Sequence, residues 1–423
     1  MKRVLAMCAV VCLLLGLCAC GNEAADPTDT QTTGGPQEDK LTVTLYHDLN
    51  TKTAAILENR LAAFTQNNPH IRVELKKCDG QLTGEEAGVV LCDMGAVEQY
   101  RQAGWVMALD SLVTEEQLAD YQMFYAVDPI ELYSLPVMFS SLVLYYNRSF
   151  FDVNDIPVPF SWEEVEETCQ KIKKLDPEAT PLMCDAGADL FLSLCYQQDV
   201  AVTDEAGTGY LFDTEKAHDF VKRLNSWSQK GWLSAQTQSG EVLQQWSSGN
   251  SYMVIGSSAD ALRYRAEKKD DTYLFELGVA HMPQSLDAAA GVAIRSLELC
   301  VLKTDDEQLQ AASWLLAQYM SSNTAFQADF PRAAGYLPAA MSAETDAGYS
   351  AFLDSADGGD NVAAQAAMTC LEQQYAFAVL PVSDPVRQQL DALVGKCLGL
   401  SGDNVDAQIT EAFREAVKNC ENS

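Results

Sequence analysis

Basic side chains are scarce in this chain. It carries 28 Lys and Arg against 60 Asp and Glu, a formal charge of −32 at pH 7, with only four histidines. A surface of that sign repels phosphate backbones and anionic headgroups, which argues against nucleic-acid binding. It also disfavours a strongly anionic ligand unless a local basic pocket overrides the global field. His47, His70, His218 and His281 are dispersed, and no Gly-x-Ser-x-Gly, His-Glu-x-x-His or phosphate-loop pattern occurs. Thirteen cysteines are present, yet no Cys-x-x-Cys or Cys/His cluster groups them. Zinc and thiol-redox sites are therefore disfavoured, and neither a metal nor a cofactor is expected. The adjacent carboxylates Glu163-Glu164 and Glu166-Glu167 read as a solvated helix face. No enzyme is indicated, and a surface-anchored hydrolase stands as the alternative from another class, through a carboxylate pair without a recognisable motif.

What is present at the start of the chain is a targeting signal. Lys2 and Arg3 precede the uncharged apolar run Val4 to Leu17, which is too short to span a bilayer, and the small Ala19 precedes Cys20. The run Leu17-Cys18-Ala19-Cys20 resembles the lipobox of bacterial lipoproteins, whose cysteine is diacylated before cleavage and stays in the membrane. That resemblance implies a signal peptide at 1–19, lipidation at Cys20 and a protein held on the outer face of the cytoplasmic membrane. Residues 21–40, polar and rich in Gly, Pro and Thr, read as a flexible tether. The remaining chain of about 400 residues is too long for one hydrophobic core and suits two lobes. Nine cysteines survive processing: an odd, scattered number, several within apolar runs such as Leu299-Cys300-Val301, where Cys acts as a small hydrophobe.

Periodicity predicts an α/β fold. Residues 41–49 alternate as a strand, and Ile56, Leu57, Leu61 and Phe64 recur at helical spacing before Asn68-Pro69. Strands follow at 71–75 and 88–92, so the first lobe is expected to hold a mostly parallel sheet. Ser161 with Glu164 forms a capping box that starts a helix to about Leu175. Further helices are predicted over 213–230, 306–321 and 404–419, and strands over 252–255, 278–281 and 297–302.

Four ordered segments carry a family resemblance. These are Leu144-Tyr145-Tyr146-Asn147-Arg148 followed by Phe160-Ser161-Trp162-Glu163-Glu164, then Trp246 to Met253, Leu277 to Pro283, and Ala334-Gly335-Tyr336-Leu337-Pro338. Together they resemble the family 1 extracellular solute-binding proteins of ABC importers, and the branch that binds glycerol 3-phosphate or sugars in particular. The resemblance implies a two-lobe fold of the periplasmic-binding-protein type II kind, with an interlobe cleft and hinge crossovers. One lobe is expected from 41–139 plus about 271–320, the other from 140–270 plus about 321–423. It implies a monomer that captures a carbohydrate or related polyol and delivers it to membrane permease subunits. A glycerol phosphoester or other small organic solute is the alternative. The arginine that grips phosphate in that branch would fall near Phe377, where this chain has none.

The resemblance also places the site. Asp93 matches an acidic ligand-binding position after the third strand, although a helix N-cap explains it equally well. Ser140 and Ser141 lie at the crossover between lobes, where a turn is the plain alternative and the resemblance favours the cleft. Ser257 and Ser258 divide between cap and ligand donor, and Tyr336 is read as a cleft wall. His47 ends the first strand within reach of the cleft, though a lone histidine is more often structural. The six tryptophans read as core residues rather than stacking platforms.

Overall fold

The computed structural model describes residues 40–422 except 79–81, 122–123, 125–130, 186, 205–208, 235–238, 287–288, 358–360, 374–375 and 381. The signal, Cys20 and the tether before Lys40 lie outside the described residues. Lys40–Ser423 forms one compact unit. Its strands in chain order are β1 (Leu41–His47), β2 (Ile71–Lys77), β3 (Val89–Asp93), β4 (Leu135–Asn147), β5 (Thr180–Cys184) and β6 (Ser251–Ser257). There follow a small hairpin of β7 (Lys268–Lys269) and β8 (Thr272–Tyr273), then β9 (Leu277–His281), β10 (Val292–Val301), β11 (Leu337–Pro338) and β12 (Phe377–Val379). All but the hairpin join one sheet, with the main path β2-β1-β3-β10-β4-β6-β5.

Local chemistry explains the elements that open each half. Asn50 caps the helix Thr51–Asn67 by accepting from the Thr53 amide, and Leu57, Leu61 and Phe64 give it one buried face. That helix returns the chain so that β1 pairs in parallel with β2 and with β3. The parallel pattern stops there: β10 runs antiparallel to both β3 and β4. β10 comes in from the other half of the molecule, so the sheet is more mixed than the sequence predicts.

Two side-chain cores flank this sheet. One gathers Leu45, Phe64, Leu91, Leu299, Leu316 and Phe330. The other gathers Leu144, Trp162, Phe191, Trp227, Leu390 and Phe413. This is the two-lobe α/β architecture. Contacts draw the division differently from the expected one at two places. β9 pairs with β4 inside the second lobe, and Phe326, Phe330 and Ala340 pack in the first. The helix Thr324–Ala334 follows Glu307–Ser322 after a single residue, Asn323, so both helices stay on the same core. All nine cysteines after the tether are free thiols, and every one but Cys78 is buried. Among the described residues no helix is long and apolar enough to cross a membrane.

Candidate functional site

The site forms where β4 changes partners. Its residues up to Ser141 pair with β10, and from Leu142 onward they pair with β6 and β9. Ser140 and Ser141 therefore sit within an unbroken strand rather than a turn, exposed by only 6% and 3%. Burial obliges their polar atoms to find partners. Ser141 Oγ donates to the Ala293 carbonyl at 3.3 Å, and the Ser141 amide donates to Ser258 Oγ at 3.2 Å. Ser258 opens the short 3-10 helix Ser258–Tyr264, which Ser257 caps by accepting from the Ala259 amide at 3.2 Å. Two of the predicted serines, Ser141 and Ser258, thus meet across the strand crossing, Ser140 lies opposite Arg295, and Ser257 has the capping role.

Of its two anticipated roles, Asp93 has that of the N-cap, and it carries an ion pair besides. As the last residue of β3 it caps the helix Met94–Gln102, with Oδ1 accepting from the Gly95 amide at 2.9 Å. Its Oδ2 accepts from Arg295 Nε at 3.1 Å. Arg295 lies opposite Ser140 in the β4–β10 register, and its Nη2 donates to Asp384 at the start of the helix Asp384–Leu398. One guanidinium therefore bridges a first-lobe carboxylate and a second-lobe carboxylate. Burial works against the Arg295 charge, but Asp93, Asp384 and Asp189 outweigh it and hold the group above its ordinary value. Burial also pushes the Asp93 carboxyl up, opposed by Arg387 and Arg295.

A second pair lies beside the first. Buried Arg387 donates to Asp189 in the first turn of the helix Gly187–Gln197, while Arg387 Nη2 is buried with no hydrogen-bond partner among the described residues. Asp391 accepts from the Ala188 amide at 2.6 Å, and burial raises its carboxyl. Tyr336 follows Gly335, whose φ of 93° is the left-handed conformation that glycine adopts without strain. The Tyr336 hydroxyl is raised by burial and lies in the joint field of Arg295, Asp260, Asp384 and Asp93.

His47 stands apart. It is buried at the end of β1, where Nδ1 accepts from the Leu49 amide at 3.2 Å, and burial lowers its pKa. No contact among the described residues joins it to Asp93 or Arg295. Trp162, Trp227 and Trp246 are core residues, exposed by 3% or less.

Sequence reasoning missed Arg295, Asp384, Arg387, Asp189 and Asp391. One signal was present: Arg295 is the sole cation inside an otherwise largely apolar strand, Val-Ala-Ile-Arg-Ser-Leu-Glu-Leu-Cys-Val. A charge in such a place needs a partner. Phe377 itself, near which the resemblance would put an arginine, lies on β12 beside β10. Phe377 pairs with Val292, and Arg295 follows three residues later on that neighbouring strand.

No curated protein matches the chain. Solved structures share its fold at low identity. The cyclic α-maltosyl-1,6-maltose binding protein of Arthrobacter globiformis superposes with a TM-score of 0.71 at 16% identity, over 91% of this chain and 100% of its own. The sugar-binding protein MalE of Xanthomonas citri gives 0.72 at 16%, over 90% and 98%. UgpB of Mycobacterium tuberculosis, solved with glycerophosphocholine, gives 0.68 at 19%, over 90% and 98%. A family profile described as bacterial extracellular solute-binding protein matches residues 60–354, and the chain belongs to that family.

Proposed function

We propose that this protein is the substrate-binding lipoprotein of an ABC importer. It is anchored through Cys20 at the outer face of the cytoplasmic membrane. There it captures a carbohydrate or related polyol at the strand crossing and passes it to membrane permease subunits, working as a monomer without covalent chemistry or a cofactor. One observation carries the choice of ligand: the cluster's cations are already committed to carboxylates. Arg295 is shared by Asp93 and Asp384, and Arg387 is held by Asp189. An ion-paired, hydrogen-bonded array offers fixed donors and acceptors to hydroxyl groups without demanding a counter-charge. Asp93, Ser140, Ser141, Ser258 and the Tyr336 ring supply that array. Ser257 supports it as a cap, and His47, at the end of β1, is proposed to reach the solute itself rather than the array.

A second reading, a glycerol phosphoester, rests on the unpartnered Arg387 Nη2, a buried cationic donor that an anionic oxygen would satisfy. Thermal-shift titration of a non-lipidated Asn22–Ser423 chain decides between the two. A neutral sugar or polyol should raise the melting midpoint saturably and come back unchanged, since a ligand bound only to the folded state stabilises it. Tyr336→Ala should weaken that ligand by roughly tenfold. Stabilisation by phosphoesters alone selects the second reading, and product formation points to a hydrolase.

A further inference from the structure

Away from the shared sheet, two glycines lie where the backbones of the lobes approach too closely for a side chain. Gly95 lies in the first turn of the helix Met94–Gln102, whose preceding strand residue Cys92 packs with the first-lobe side of the sheet. A methyl group at Gly95 would stand 2.2 Å from the Ser383 amide nitrogen and 2.2 Å from the Val382 carbonyl carbon. Val382 belongs to the second core. A methyl at Gly335 would stand 2.6 Å from the Ala259 carbonyl oxygen. Ala334 and Tyr336 pack on the first core, while Ala261, just after Ala259, belongs to a second-lobe cluster with Tyr145 and Val254. Neither position admits a Cβ while the lobes are in this arrangement, since backbone atoms cannot rotate away as a side chain would.

The two contacts flank the site. Asp93, Arg295 and Asp384 lie at the Gly95 contact, Ser257 and Ser258 lie at the Gly335 contact, and Tyr336 senses charges from both. We infer that Gly95 and Gly335 are positioning residues for solute capture: their missing side chains are what allow the two lobes to shut on the site. The inference rests on reading the strand crossing as the solute site. It assigns each glycine a role opposite in sign to its local effect. Gly95 is helical, and alanine is the better helix former at such a position. Gly95→Ala should therefore leave the first lobe as stable or more stable while removing the shut arrangement. Gly335 needs its left-handed φ in any case, so Gly95→Ala is the cleaner variant.

The test is a distance measured between spin labels carried on non-canonical amino acids. Exposed Glu58 on Thr51–Asn67 and exposed Lys171 on Trp162–Leu175 are suitable sites, one per lobe. The full non-lipidated chain should populate the distance of this structure, increasingly so with solute. Gly95→Ala should lose that distance, keep or raise its melting midpoint, and bind solute more weakly by roughly tenfold or more. Gly399→Ala should behave as wild type, because a methyl there meets nothing nearer than 3.7 Å. Persistence of the short distance in Gly95→Ala overturns the inference, as does its absence from wild type under every solute tried. A wild-type protein that shows the short distance but binds no sugar, polyol or phosphoester sinks the functional reading and leaves the glycine contacts standing.

Discussion

Glu298 lies on β10 three residues beyond Arg295, fully enclosed. Ser296 Oγ donates to its Oε1 at 2.6 Å and Ser134 Oγ to its Oε2 at 3.1 Å. Burial pushes the carboxyl up to about 7, with both serine hydroxyls opposing. The folded pKa therefore exceeds the unfolded value of about 4.3, so the folded state keeps a proton that the unfolded chain releases. Stability from this group is full below the unfolded pKa and is lost as pH rises through 7, a span worth on the order of 3 kcal/mol. Glu298→Gln should gain on wild type steadily between pH 5 and pH 8 in denaturant melts. An unchanged difference across that range would count against it. Residues of this kind explain what the sequence hid. Asp93 was legible because it follows an apolar strand and precedes a helix. Its partners Arg295 and Asp384 were not, because a register between distant segments, not spacing, brings them together. Ser140 and Ser141 were placed at the crossover by the resemblance, with a turn as the plain alternative. Only the change of strand partners shows where their hydroxyls go.

Several helices with one wet face were readable, and two buried over most of their surface were not. The helix Trp162–Leu175 starts where its capping box predicts, with Ser161 Oγ accepting from the Glu164 amide and Glu164 accepting from the Ser161 amide, both at 3.2 Å. Ser161→Ala should cost about 1 kcal/mol in denaturant melts, and Ser161→Asp should recover most of it. Equal stability of all three proteins would show that packing of Trp162, not the cap, sets this helix end. Gly187–Gln197 and Val362–Glu372 escaped notice for the opposite reason. Nearly every residue of the first is buried, and the second has lost most of its polar stripe, so no 3.6-residue contrast remains to be read. Pro331 likewise disguised the helix Thr324–Ala334, whose last turn it occupies.

At the scale of the whole molecule, nine thiols are present and no disulfide joins them among the described residues. Burial pushes Cys169 and Cys370 up to about 12, and Cys420 to about 11, which leaves almost no thiolate at neutral pH. A thiol-specific chromophoric reagent should titrate Cys78 quickly in the native protein and all nine thiols in denaturant; rapid native reaction of several thiols would refute the packing described. The long crossing strands have a different consequence, one of timing. β3 is flanked by β1 on one side and by β10 on the other, with Val89 opposite Val301 across roughly two hundred residues of chain. Phe330 and Ala340, later still, complete the same core. The first lobe therefore cannot mature as its own residues leave the ribosome, since it waits on a strand made after most of the second lobe. Any chain ending before Val292 keeps β3 and β4 as open edges, exposed to each other's copies. Assembly is thus deferred to the end of synthesis, so that the unfolded thread, rather than either finished lobe, is what the cell must handle first.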